Sequence, residues 1–135
     1  MISENYYMEV PFFDVDSMHI AWHGHYCKYI ELARCKLLEK IGYSYQDMAS
    51  SGYSFPIVDM RIKYVNPLTF GQQITIKATL MEWQVRLKIS YVICDSESEQ
   101  KLTQAHTVQA AVNNKTGIMQ LQCPQVLTDR VNACL

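Results

Sequence analysis

The spacing of apolar positions divides the chain into stretches of different period. Tyr6 to Phe13 alternates loosely and is rich in aromatic and branched residues. It gives way to the polar cluster Asp14-Val15-Asp16-Ser17, a pattern that predicts a strand running into a turn. From His25 to Lys40 the period lengthens: Tyr26, Ile30, Ala33, Leu37 and Ile41 recur at helical spacing on one face, and Gly42 follows as a C-terminal cap. Cys27, Tyr29, Leu32 and Leu38 lie off that stripe, so this helix is apolar around most of its circumference and is expected to be enclosed on several sides. Ser44 to Ser50 predicts a shorter helix, ended by Gly52.

Strand character then takes over. It runs through Tyr53 to Val65 and through Gln73 to Trp83, where Ile74, Ile76, Ala78 and Leu80 alternate with polar neighbours. Leu87, Ile89, Tyr91 and Ile93 repeat that alternation, and Leu102 to Val112 and Ile118 to Leu121 continue it. Asn66-Pro67, Gly71, the polar stretch Asp95 to Gln100 and Asn113-Asn114-Lys115-Thr116-Gly117 punctuate these runs as turns, and the tail after Pro124 reads as a loose helix. One strand, one long buried helix and then four or five antiparallel strands define an α+β class, with a helix on one face of a curved sheet. No repeat or linker interrupts residues 1–135, so a single domain is expected. One helix covers only part of such a sheet, and the leftover apolar surface and free edge predict that two copies associate.

Composition narrows the function classes. At 135 residues the chain is long enough to bury roughly two-thirds of its unfolded surface without metal or disulfides. A hydrophobic share of 49% and a charged share of 19% argue against disorder. Net charge is −1 with Lys and Arg scattered singly, so nothing marks a nucleic-acid partner. The first twenty residues carry Glu4, Glu9, Asp14 and Asp16 with neither a basic nor an apolar leader region, and no stretch reaches the roughly 18 apolar residues of a membrane span. A soluble, cytoplasmic protein is expected. Cys27, Cys35, Cys94, Cys123 and Cys134 are odd in number and form no C-x-x-C pair, so they read as free thiols.

The stretch with the most specific chemistry is Phe12 to Arg34. Two acids at a strand end, followed after a few residues by a buried helix, set a carboxylate beside the helix N-terminus. The amides of a first helical turn lack intrahelical partners, so they can receive the oxyanion formed when a thioester carbonyl is attacked. The donors fall near His23 and Gly24, where the missing side chain of Gly24 lets a carbonyl come close to the backbone. A carboxylate there, charged at neutral pH, can attack the thioester or activate water, and thiolate leaves with little need of protonation. On spacing alone Asp14 and Asp16 also fit as turn and capping residues.

The segment resembles the active-site region of the 4-hydroxybenzoyl-CoA thioesterase family, the acyl-CoA thioesterases of the hot-dog fold. The resemblance rests on Asp14 and Asp16 after the first strand, Trp22 and His23 about six residues on, and Tyr26 and Glu31 in the helix. It implies one long central helix wrapped by a curved antiparallel sheet of five or six strands, and hydrolysis of an acyl-CoA or acyl carrier protein thioester. It implies Asp16 as nucleophile or general base and the His23 backbone N–H as oxyanion donor, with Trp22, His25, Tyr26 and Glu31 at the substrate. No cofactor is implied, since coenzyme A belongs to the substrate, and a homodimer or homotetramer holds the acyl chain between subunits. Ser17-Met18-His19 stands where the family usually has Pro-Ala-Gly or Ala-Gly-Gly, and Gly24-His25 where benzoyl-specific members have Pro-Asn.

Other residues carry alternatives. Arg61 and Lys63, and likewise Arg86 and Lys88, alternate along strands, so each pair shares a face and serves either as solvated charge or as contacts for coenzyme A phosphates. Glu31 and Arg34 fit an intrahelical pair or a brace for the active-site loop. His19, His23 and His25 cluster with two acids, but their loop-like spacing lacks an i+4 ligand on the helix, so no metal is expected. A non-catalytic acyl-binding or scaffold protein and an acyl thioester dehydratase, the latter using His25 with an acid, are the competing functions on this fold.

Overall fold

The computed structural model describes residues 1–135. Strand β1 (Ser3–Glu9) ends sooner than the alternation predicts, because Pro11 cannot donate to a ladder and Phe12–Asp14 form a 3-10 turn instead. A tight loop follows, in which Val15 bridges Ala21 and Ile20 bridges Thr69. A second 3-10 turn, His23–His25, leads into helix α1 (Tyr26–Ile41). Gly42 ends α1 at a left-handed φ of 83°, with the Gly42 N–H on the Glu39 carbonyl and the Tyr43 N–H on the Leu38 carbonyl. Helix α2 (Tyr45–Ser51) opens on a capping box in which Ser44 and Asp47 exchange side-chain and backbone bonds.

The stretch predicted as one strand over 53–65 is two. Phe55-Pro56 separates β2 (Tyr53–Ser54) from β3 (Ile57–Tyr64), again because proline has no ladder donor. Then come β4 (Gln73–Glu82), β5 (Leu87–Asp95), β6 (Lys101–Gln109), the short β7 (Val112–Asn113) and helix α3 (Gln125–Asn132). Residues 118–121 do not form the expected strand: only the Val112–Met119 bridge survives, and Leu121 is 95% exposed, with no surface to bury against.

The main sheet has five antiparallel strands in the order β1-β4-β5-β6-β3, with β2 and β7 paired apart from it. Helix α1 lies chiefly on β1 and β4. Its stripe of Tyr26, Ile30, Ala33, Leu37 and Ile41 is buried against Ile74, Ile76, Ala78 and Leu80 of β4 and Leu87, Ile89, Tyr91 and Ile93 of β5. Burying each large aliphatic side chain here contributes about 1.5–3 kcal/mol. The helix is less enclosed than its composition predicts: Tyr29 and Leu38 are buried as well, but Cys27 and Leu32 face outward.

Strand β3 ends the sheet. Its partner on one side is β6, its other edge is unpaired within the chain, and Ile57, Val58 and Tyr64 along it are exposed. A register shift between Ile57 and Asp59 adds local twist at that edge. No helix is long and apolar enough to cross a membrane.

Candidate active site

The site begins with the loop between β1 and α1. The Asp16 N–H donates to the Ile20 carbonyl at 2.9 Å and the His19 N–H to the Asp16 carbonyl at 2.9 Å, which folds Asp16 to Ile20 into a tight turn. His19 takes a φ of 64°, so a left-handed conformation that favours glycine is held here by a histidine. The loop is fastened to the β3–β4 connection by the Ala21 N–H on the Leu68 carbonyl at 2.7 Å, and the Trp22 N–H donates to the Asp14 carbonyl at 3.0 Å.

The two acids of this loop have opposite surroundings. Asp14 is 2% exposed; Lys28 Nζ donates to both its oxygens at 2.9 Å and Tyr29 Oη to Oδ2 at 2.6 Å. Burial by itself would raise the Asp14 pKa, but the bonds from Tyr29 and Lys28 outweigh it and hold the carboxyl below the usual range. Burial, and then the Asp14 charge, push the Tyr29 hydroxyl well above its ordinary value. Asp16 is exposed, and the one hydrogen bond its carboxylate makes within the chain is from the Met18 N–H to Oδ1 at 2.8 Å. The second carboxylate oxygen stays open.

Asp16 borders a cleft of about 370 Å³ together with Ile20, Ala21, Trp22, His23, Tyr26, Tyr64, Val65, Asn66 and Pro67. The N–H groups of His23 and Gly24, at the turn that opens α1, make no hydrogen bond within the chain, and of the two residues His23 lines this cleft. Tyr64 joins β3 to that turn: its hydroxyl donates to the His23 carbonyl at 3.2 Å, and its ring meets Tyr26 edge-on with centroids 4.7 Å apart. A larger cavity of about 480 Å³ lies elsewhere, between α2 and the β2–β7 pair, lined by Tyr45, Met48, Tyr53, Phe55 and Val112 among others.

The cleft therefore gathers Asp16, Trp22, His23 and Tyr26 of the expected residues. Others sit apart. Gly24 belongs to the same turn, but a Cβ there would come within 2.7 Å of three ring carbons of Trp22, so its bareness first serves the indole and not an incoming carbonyl. His25 turns toward the buried acid, with Nδ1 3.8 Å from Asp14 Oδ1. Glu31 pairs along the helix with Arg34, which is itself buried and donates from Nε to Tyr45 Oη at 2.7 Å, so Glu31 does not brace the Asp16 loop.

Arg86 lies in the β4–β5 turn and not on a strand, while Lys88 is on β5 opposite Val108, level with Asp59 of β3. Asp59 is five residues along β3 from Tyr64, about 17 Å at strand spacing, so within one chain these cations stand at the far end from the cleft. Arg61 and Lys63 line a polar hollow with Gln104 and His106. No three His, Cys, Asp or Glu side chains converge as a metal-holding group.

The reading of the sequence missed Tyr64 and the Val65-Asn66-Pro67 wall, as well as Lys28 and Tyr29, the partners of Asp14. Tyr64 left a signal, since it shares the inward parity of Met60 and Ile62. Lys28 left none, because its partner is fourteen residues away across a loop.

An antiparallel five-stranded sheet carrying one long helix is the hot-dog fold. The model of the thioesterase-like superfamily matches residues 10–131, and the chain belongs to that family. The Synechocystis protein sll0410, named as an esterase, is 31% identical over 114 residues, which cover 83% of this chain and 68% of that protein. The Bacillus subtilis protein YneP, named for acyl-CoA thioesterase activity, is 35% identical over 65 residues, so the match spans 48% of this chain and only 47% of that relative. The crystal structure of a 1,4-dihydroxy-2-naphthoyl-CoA thioesterase from Synechocystis superposes with a TM-score of 0.85 at 20% identity over 96% of each chain, a likeness of fold.

Proposed function

We propose that this chain is an acyl-CoA thioesterase, acting as a single domain that hydrolyses an acyl thioester to the free acid and a thiol. The observation that carries the reading is one cleft bordered both by a carboxylate with an uncommitted oxygen, Asp16, and by His23, whose amide is unpartnered and opens the turn that continues into the equally unpartnered Gly24 amide. Asp16 acts as nucleophile or as general base for water. The amides receive the charge that develops on the carbonyl oxygen, and the thiolate of coenzyme A or of an acyl carrier protein leaves. Water supplies the oxygen of the acid and the proton of the thiol, so no cofactor enters the balance.

The working form in this reading is a cytoplasmic homo-oligomer, a dimer or a tetramer. The unpaired edge of β3 and its exposed Ile57, Val58 and Tyr64 support pairing with a second copy. Antiparallel pairing of two β3 strands brings the Ile57 end of one copy beside the Tyr64 end of the other. That sets the partner's Phe55 region, and its Arg86 and Lys88, toward the cleft, where those cations can meet coenzyme A phosphates.

The test is thiol release from a panel of acyl-CoAs, followed by a colorimetric thiol reagent. Release faster than buffer, abolished by Asp16→Asn, is expected. An enzyme-independent rate points instead to a non-catalytic acyl-binding protein, and an enoyl thioester product without free thiol points to a dehydratase.

A further inference from the structure

We propose that Trp22 determines which acyl groups the cleft accepts and that Gly24 is the seat that holds its indole in place, an inference that rests on the thioesterase reading above. The indole is half exposed and forms part of the cleft wall beside Asp16 and His23. Its backbone is pinned at both ends, with the N–H on the Asp14 carbonyl at 3.0 Å and the carbonyl accepting the His25 N–H at 2.9 Å. The loop therefore cannot swing the residue away without breaking the turn that precedes α1.

The side chain is held as firmly as the backbone. His23 and His25 flank the indole with ring centroids 5.1 and 5.4 Å away. Beneath it, Cζ3, Cη2 and Cε3 occupy the space that any side chain at position 24 would need. Even one methyl there must displace the indole, and the indole is part of the cleft wall. The same turn carries the free amides of His23 and Gly24. Because Trp22 and His23 line the same cleft, a carbonyl bound at the His23 amide shares that space with the indole, and in this proposal the ring excludes bulk at the neighbouring carbon while admitting a straight chain.

This predicts a steric coupling between positions 22 and 24 that a merely structural tryptophan would not show. Thiol release from hexanoyl-CoA, isobutyryl-CoA and benzoyl-CoA is measured for wild type, Trp22→Ala, Trp22→Phe, Gly24→Ala and the Trp22→Ala/Gly24→Ala double variant. Trp22→Ala is expected to raise the kcat/KM ratio of isobutyryl-CoA to hexanoyl-CoA by about tenfold or more, the scale at which an apolar wall discriminates single carbons, with Trp22→Phe in between. Gly24→Ala is expected to lower kcat/KM about tenfold on every substrate, and the same substitution is expected to cost less than about threefold once Trp22 is alanine.

An unchanged substrate ratio in Trp22→Ala overturns the proposal, and so does a Gly24→Ala penalty that persists in the double variant. Should Gly24→Ala not fold, the Trp22→Ala and Trp22→Phe ratios decide alone. A wild-type protein that releases no thiol from any of the three thioesters rejects the thioesterase reading itself, whereas an active wild type with unmoved ratios rejects only this inference.

Discussion

Asp14 and Asp16 are two residues apart on one loop and have almost nothing else in common. The 3-10 turn after Pro11 points Asp14 inward to the first turns of α1, where Lys28 and Tyr29 occupy its lone pairs. The tight turn from Asp16 to Ile20 sends the second acid out to the rim of the cleft, held by a single amide. A buried carboxylate with both oxygens engaged holds the loop to the helix and has little left to offer a substrate. The neighbour, loosely held beside unpartnered amides, can offer an oxygen. Proximity in sequence therefore says little about which acid keeps a free oxygen.

The contrast can be broken by exchanging the two phenotypes. Asp16→Asn is expected to lower kcat by about 10³-fold, about 4 kcal/mol in the barrier, while the unfolding free energy from urea titration stays within about 0.5 kcal/mol of wild type. A variant keeping more than about a tenth of the wild-type rate would mean the wrong acid has been assigned. Asp14→Asn is expected to do the reverse, costing about 2 kcal/mol of stability in urea unfolding because the buried Tyr29 hydroxyl loses a charged acceptor while the half-exposed Lys28 ammonium falls back on water.

Acid sharpens the same comparison. The carboxyl of Asp14 titrates lower in the folded protein than in the unfolded chain, so its contribution is fully present above the unfolded value near ~4 and is lost as pH falls through the folded one. The stability gap between wild type and Asp14→Asn should therefore narrow below about pH 4. A gap that widens there contradicts the assignment. Smaller effects follow from the partners. Tyr29→Phe removes the hydroxyl donor and should cost about 1–2 kcal/mol by the same measurement. Smallest of all, His19→Gly should raise stability by about 0.5 kcal/mol, since glycine meets the φ of 64° without a Cβ penalty.

Much of the fold was legible. The stripe Tyr26, Ile30, Ala33, Leu37 and Ile41 marked α1 almost to the residue, and Gly42 and Gly52 both end their helices at positive φ. Errors fell at Pro11 and Pro56, where apolar alternation continues past a residue that cannot join a ladder, and at Ile118 to Leu121, where pairing stops at the Val112–Met119 bridge and Leu121 stays exposed. Of the site, Asp16, Trp22, His23 and Tyr26 converge as expected. Glu31 goes to Arg34, His25 to Asp14, and Arg86 and Lys88 to the far end of the strands. Charged side chains choose partners across space, and their spacing along the chain does not record which.

Period and punctuation are local properties, carried by where side chains point on a helix or strand and by what proline and glycine allow. They settle, from the amino acids alone, that this chain makes one long helix, several antiparallel strands and a polar loop with two acids before the helix. The order β1-β4-β5-β6-β3 arises from contacts between residues far apart in the chain, and so does the burial of one acid. The seating of Trp22 on Gly24 is sequence-local but sterically invisible until the turn is folded, because a turn's dihedral angles decide whether two nearby residues touch.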